Sequence, residues 1–327
     1  MTVPLTVAQP PSRRTAGSPS GPIHFISGAD AVALGLERLL LRAEWLHRDR
    51  RLHRVADPLA GRHVALLFEK PSLRTKMSFE VGVAALGGRV TYLGPTEVGI
   101  GTRESAADVG RNLSRWVDAV VVRTFAHAAL VELAEASSVP VVNALTDREH
   151  PCQALADLLT LRQHLGSLRG RRLAFVGDGN NVLHSLLLTG ALAGLEIAVA
   201  TPTGYEPDAG IVEEARAFAD RHGGSVVIGS DPVAAVTGAD AVYTDVWTSM
   251  GAEAEAEERR ARFGPYQVNA ALLSHAPGAL VMHCLPAHRG EEITSEVLDG
   301  PRSVVLDQAE NRLYVQQAVL LELLGRR

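Results

Sequence analysis

The stretch His63-Val64-Ala65-Leu66-Leu67-Phe68-Glu69-Lys70-Pro71-Ser72-Leu73-Arg74-Thr75-Lys76-Met77-Ser78 joins an apolar run to a polar cluster. The run reads as a buried strand. Behind the cluster Met77, Phe79, Val81, Val83-Ala84 and Leu86 continue at roughly helical spacing, and Gly87-Gly88 ends the pattern. The cluster therefore sits where a strand stops and a helix starts. A helix N-terminus carries unpaired N–H groups and a partial positive charge, so it attracts anions. Ser72, Thr75, Arg74 and Lys76 in that first turn suit a phosphate or carboxylate, and the planar arginine fork can hold two oxygens at once. A plainer reading, Ser72 as an ordinary cap and Arg74 as a solvated charge, fits the composition equally well.

Outward from this stretch, strands and helices alternate. Ala29 to Arg50 reads as one long amphipathic helix, followed by strand 63–68 and the helix after Ser72. Strands near 89–93, 119–123 and 139–143 complete a first series. A helix from about Cys152 to Leu165 links it to a second series, with strands near 172–177, 195–201, 225–229, 241–245, 280–284 and 303–306 and a final helix from Asn311 to Leu324. The strands are continuous Val/Leu/Ala runs, the pattern of parallel sheets covered on both faces. The fold class expected is α/β: two domains, each a mainly parallel sheet covered by helices, with a ligand cleft between them.

At 327 residues the chain exceeds one ordinary core, so two domains are the default. With 46% apolar and 21% charged residues it has the composition of a soluble globular protein. A formal net charge of −5 offers no polyanion-binding surface, which argues against a nucleic-acid partner. No apolar run reaches membrane-spanning length. Cys152 and Cys284, far apart, build neither a disulfide framework nor a zinc site, pointing to a reducing, cytoplasmic location. Residues 1–22, rich in Pro, Ser, Thr and Gly, read as a disordered tail.

In parallel sheets ligands collect at the carboxyl ends of the strands. Arg123, His150-Pro151-Cys152-Gln153, Asp245 and His283-Cys284-Leu285-Pro286 all fall at such ends. Each alone is weak; an arginine there is commonly a surface charge. Together they imply an interdomain cleft with a basic and an acidic wall. Val176-Gly177-Asp178-Gly179-Asn180-Asn181 begins like a dinucleotide fingerprint, but Val182 takes the third glycine position and the next strand ends Ala198-Val199-Ala200-Thr201, without an acidic residue for a ribose. A dehydrogenase fits poorly, and no Gly-Lys-Ser/Thr loop is present.

Ser72-Leu73-Arg74-Thr75, His150-Pro151-Cys152-Gln153, Asp245-Val246-Trp247-Thr248-Ser249-Met250-Gly251 and His283-Cys284-Leu285-Pro286 resemble the signature segments of ornithine carbamoyltransferases. The first two are shared with aspartate carbamoyltransferases; the last two are more specific to the ornithine branch. The resemblance runs from about residue 23 to the C-terminus. It implies a carbamoyl-phosphate-binding domain at 23–150, an ornithine-binding domain at 151–310 with 151–165 as link, and a C-terminal helix, 311–327, packing back on the first domain. It also implies a homotrimer or multiple of trimers that makes citrulline and phosphate, in arginine biosynthesis, without metal or coenzyme.

By the same resemblance Ser72, Leu73, Arg74, Thr75 and Arg123 bind the phosphate, and His150 and Gln153 hold the carbamoyl group, joined by Arg312. Asn181, Asp245, Ser249 and Met250 hold the amino-acid end of ornithine, while Cys284 and the Leu285 carbonyl face its side-chain amine. The catalytic set is Arg74, Arg123, His150, Asp245 and Cys284, and the Leu285-Pro286 bond is cis in relatives. The chain departs from the family at Leu73 (usually Thr), at Lys76 (commonly Arg) and at Gly99, where many relatives place Gln or His against the phosphate. Thr102 or Arg103 is the expected replacement for that contact, reaching across a subunit boundary.

The chemistry agrees with amine acylation. An alkylammonium has a pKa of about 10.4, so freeing the amine at pH 7 costs about 4.6 kcal/mol. The site must lower that cost and stabilise charge on the carbonyl oxygen and departing phosphate, which cationic donors in a dry cleft do. Two rivals stand beside this reading: a carbamoyltransferase for putrescine, acetylornithine, lysine or aspartate, and a non-enzymatic binding protein on the same fold.

Overall fold

The computed structural model describes residues 21–51, 57–101, 103–249 and 253–325. The expected tail lies almost wholly outside them, as do Thr102 and Met250. Four strands, β1 (His63–Phe68), β2 (Arg89–Leu93), β3 (Ala119–Arg123) and β4 (Val141–Leu145), form one parallel sheet in the order β2-β1-β3-β4. Five more, β5 (Arg172–Val176), β6 (Glu196–Ala200), β7 (Ser225–Gly229), β8 (Ala241–Thr244) and β9 (Leu280–His283), form a second parallel sheet in the order β7-β6-β5-β8-β9. Both interiors are the expected aliphatic runs: Val64 to Phe68 and Val120 to Val122 are essentially inaccessible to solvent. Buried strands of this kind need helices on both faces, which is why the apolar runs do not alternate with polar residues.

Each sheet reverses its winding once, between β1 and β3 in the first and between β5 and β8 in the second. A crevice opens at such a point because the flanking connections leave to opposite faces. The Ser72 cluster follows β1 and Arg123 ends β3; Gly177 to Asn181 follows β5 and Asp245 follows β8. The candidate site residues thus lie at the two switch points, which the strand order alone fixes.

Helix Pro151–Leu165 joins the two sheets and is buried along most of its length. The last helix, Val305–Leu324, packs on it and on helices Leu36–Arg51 and Leu73–Ala85. Three expectations need correction. The first long helix is interrupted: Gly35, at φ 79°, separates a short turn, Ala31–Leu34, from Leu36–Arg51. The strand expected at 303–306 is absent. Ser303 makes only an isolated bridge to Val281, and the last helix already begins at Val305, six residues before Asn311. Its apolar triplet splits between the two sides of that helix: Val305 is buried, whereas Leu306 is exposed. The strand expected at 139–143 lies two residues later, at Val141–Leu145.

Candidate active site

The cap expected at Ser72 forms at the start of the helix proposed to hold the anion. Ser72 is extended, and its hydroxyl accepts the Thr75 N–H at 3.3 Å, closing the first turn of the helix. Thr75 is buried, and its hydroxyl is held by the Arg312 guanidinium from the C-terminal helix. Lys76 does not join the clasp. Its Nζ sits 3.8 Å from the Tyr92 ring centroid and pairs with Glu80 at 3.9 Å. Leu73 points outward and is exposed.

Arg123 and Arg312 are both buried, and the Nε of each has no partner. Burial, the facing Arg312 charge and Arg74 pull Arg123 down to about 10, with Cys284 acting the other way. Burial likewise lowers Arg312, and Arg74 adds to the effect. Three guanidinium groups therefore converge without a carboxylate strong enough to satisfy them. Arginine does not shed its proton at neutral pH, so the cluster is a standing demand for an anion.

His150 stands at the N-cap position of the linking helix with a non-helical backbone and no side-chain cap bond, and its backbone N–H donates to Ser185 Oγ at 2.9 Å. Burial, with Arg312 and Arg123 beside it, holds the imidazole well below its ordinary value, so it is neutral at pH 7; its Nδ1 is buried without a partner. Three residues on, Gln153 is wholly buried. Its Nε2 donates to Asp157 Oδ1 at 2.8 Å, and its Oε1 is unpartnered.

The acidic wall comes from the second sheet. Cys284 Sγ donates to Asp245 Oδ1 at 2.9 Å, and Asn180 Nδ2 donates to Asp245 Oδ2 at 2.8 Å. Burial and the neighbouring Asp245 push the thiol well above its ordinary value, so Cys284 is a neutral thiol and not a thiolate nucleophile. Leu285 has φ 58° and precedes a cis bond to Pro286. Its N–H donates to His283 Nδ1 at 2.9 Å, which leaves the His283 proton on Nε2, facing Glu292 Oε1 at 3.0 Å. A non-glycine residue in the left-handed region needs such an anchor.

Ligand atoms of Asp245, His283 and Cys284 lie within 4.8 Å of one another, a spacing a metal could bridge. The donor set does not fit one. Both His283 nitrogens are committed, to Leu285 and to Glu292, and a metal would have to break one of those bonds.

Asn181 is placed differently from its expected partners. Its amide donates to the Thr146 carbonyl at 2.5 Å, tying the second sheet's switch-point loop to the first domain. Asn180, which caps helix Asn181–Leu192 through Val182 and Leu183, is the residue that touches Asp245; the sequence reading missed it. The sequence signal was ambiguous, since two asparagines, Asn180 and Asn181, precede the apolar run from Val182, and either could take the capping position. Ser249 is half-buried at the end of the described loop, and Met250 lies outside it. In the loop carrying Gly99, Ile100 N donates to Glu69 Oε1 at 2.9 Å, which anchors it beside the clasp. Arg103 is exposed and its guanidinium turns back to the Glu97 carbonyl at 3.4 Å. The Gly-Asp-Gly segment is structural. A Cβ on Gly179 would lie 2.3–2.5 Å from the backbone of residues 205–207, so only glycine fits.

An arginine-rich anion clasp on one parallel sheet, faced by a thiol–carboxylate pair on another, defines a transferase of an activated acyl phosphate. The chain matches the family models "Aspartate/ornithine carbamoyltransferase, carbamoyl-P binding domain" over residues 23–163 and "Aspartate/ornithine carbamoyltransferase, Asp/Orn binding domain" over residues 169–323. It belongs to this family. An ornithine carbamoyltransferase of Symbiobacterium thermophilum is 51% identical over 297 residues, 90% of this chain and 96% of that protein. That of Methanothermobacter thermautotrophicus is 55% identical over 268 residues, 82% and 89% respectively. Among solved structures, ornithine carbamoyltransferase from Pyrococcus furiosus superposes with a TM-score of 0.91 at 46% identity, covering 94% of this chain and 98% of the other.

Proposed function

We infer that the chain transfers the carbamoyl group of carbamoyl phosphate to the side-chain amine of L-ornithine, giving L-citrulline and phosphate. One observation carries this reading. Arg123 and Arg312, buried with unpartnered Nε atoms, stand within electrostatic reach of the Cys284 thiol that donates to Asp245. A dianionic acyl phosphate fits the first group and an ammonium-bearing acceptor the second.

The phosphate would lie at the helix N-terminus on the side chains of Ser72, Arg74 and Thr75 and the backbone N–H of Leu73, with Arg123 completing the fork. The carbamoyl oxygen would sit among Arg123, Arg312, Thr75 and neutral His150, donors already desolvated when charge develops on it. Gln153 would take the carbamoyl nitrogen. On the opposite wall Asp245, Asn181, Ser249 and Met250 would grip the amino-acid end. Cys284 and the Leu285 carbonyl would orient the attacking amine, whose ammonium form is disfavoured beside three guanidinium groups. The departing phosphate leaves into the cation cluster that bound it.

We further propose a trimeric assembly, supported by the exposed Leu73 and Met77 next to the clasp, which offer apolar surface to a neighbour. The two free cysteines support a reducing, cytoplasmic setting, and the product supports a place in arginine biosynthesis. Among the described residues no helix is long and apolar enough to cross a membrane.

Steady-state carbamoylation of ornithine, putrescine, lysine, acetylornithine and aspartate from about pH 6 to about pH 9.5 tests the acceptor. Ornithine should give the highest kcat/KM, rising with pH as the side-chain amine of free ornithine loses its proton. Putrescine leaves polar groups unpaired, and each unmade hydrogen bond costs about 1–3 kcal/mol. A higher kcat/KM for putrescine or aspartate overturns the assignment of ornithine.

A further inference from the structure

The orientation of the Gln153 amide is dictated from a distance. The His283 backbone N–H, at the end of β9, donates to Gln308 Oε1 at 3.0 Å. A backbone N–H cannot accept, so Gln308 must turn its Nε2 the other way, where it donates to Asp157 Oδ1 at 2.8 Å. Asp157 Oδ1 is thereby fixed as an acceptor, and Gln153 must likewise present Nε2 to it. The Gln153 Oε1 is left over, buried and without a partner, one helical turn from His150 on the same face.

We propose that Asp157 is the positioning residue that sets which end of the Gln153 amide meets the carbamoyl group, so that the site offers a carbonyl oxygen to the substrate's NH2. This rests on the reading of Gln153 as a carbamoyl contact. An acceptor there distinguishes a carbamoyl from an acyl group of the same shape: a methyl in place of NH2 gives Oε1 nothing to accept and leaves it buried and unpaired. With the amide reversed, the site would present a second donor to NH2 and repel it.

Asp157 is wholly buried, and its surroundings are mixed. Gln153 comes from its own helix, Gln308 and Arg312 from the C-terminal helix, and Tyr243 from β8, while Cys284 lies close enough to feel its charge. Burial pushes the carboxyl up to about 7 against the pull of Gln308, Gln153, Tyr243 and Arg312. A competing explanation is that Asp157 merely balances the charge of Arg312. Asparagine separates the two. Asp157→Asn removes the charge, but Gln308 still demands an acceptor, so the Asn oxygen must occupy the Oδ1 position and Gln153 keeps its orientation.

The measurement is the ratio of the inhibition constant of acetyl phosphate to the KM of carbamoyl phosphate, at about pH 8.5, where the Asp157 carboxyl is ionised. Asp157→Ala and Gln153→Ala should each shrink that ratio by about 5- to 100-fold, the span of one hydrogen bond to a buried group. Asp157→Asn should hold it within about threefold of the unmodified protein. The KM for ornithine should move little in any of them. Should Asp157→Ala fail to fold, Asp157→Leu, which refills the volume, supports the same comparison. Equal loss in Asp157→Asn and Asp157→Ala would overturn positioning in favour of charge. Loss in Gln153→Ala with an intact ratio in Asp157→Ala would overturn the role of Asp157 alone. An intact ratio in Gln153→Ala would remove the reading of Gln153, and the proposal with it.

Discussion

Replacing Arg123 by methionine should stabilise the ligand-free protein while abolishing its activity. Arg123 is 5% exposed, and its environment holds the guanidinium down to about 10. That corresponds to about 3 kcal/mol against the cation. The sign follows from linkage. A base whose folded pKa is lowered destabilises the fold at every pH below that value and is relieved only above it, so near pH 8 the full penalty is present. Methionine removes the charge at similar volume, and allowing about 1 kcal/mol for lost polar contacts leaves a gain of about 2 kcal/mol. For a chain of this size that raises the melting temperature by roughly 3 °C. Turnover should fall at least about 100-fold, because a donor to the developing charge is gone. Thermal unfolding with and without inorganic phosphate supplies the second readout. Phosphate at about 100 times its Kd should stabilise the unmodified protein by about 2.7 kcal/mol and the variant by much less. Arg123→Lys, which keeps the charge without the fork, should lose activity without gaining stability. A ligand-free Arg123→Met protein that melts below the unmodified one would refute the reasoning, as would a phosphate-induced shift of undiminished size.

Two further outcomes are expected. Arg74→Ala should raise the KM for carbamoyl phosphate about tenfold or more and lower kcat, since a charge-assisted hydrogen bond to phosphate contributes about 1.5–3 kcal/mol; unchanged constants would dismiss residues 72–75 as the clasp. Dialysis against a strong chelator should leave citrulline formation intact, because both His283 nitrogens are already committed; activity lost and then restored by zinc or magnesium would contradict this.

Much of the architecture was present in the order of residues because it follows from local rules. The Val/Leu/Ala runs dictated parallel buried strands. Ser72 before an apolar helical repeat dictated a cap, which the structure forms with the Thr75 N–H. The signature segments named the family. Local rules also misled where two readings compete. Val304-Val305-Leu306 has strand composition, yet helix packing decided it, and Gly35 broke a helix that its flanking leucines favoured. Lys76 belonged to the clasp by position and left it for the Tyr92 ring.

What the sequence could not contain is the set of pairings between residues far apart in the chain. Thr75 meets Arg312 across 237 positions, and Asp157 meets Gln308 across 151. Strand order, a global property of the two sheets, put the clasp, Arg123, Asn180 and Asp245 at the switch points. Charge state is likewise tertiary. The identity of His150 or Cys284 says that a proton can move, but burial among guanidinium groups makes one a neutral imidazole, and burial beside Asp245 makes the other a neutral thiol. Apolar pattern and capping act within a few residues, so sequence alone determined the elements and the chemical vocabulary. Desolvation and hydrogen-bond polarity act across whatever the fold brings together, so only the tertiary structure decided which residues are charged, which are aimed, and by what.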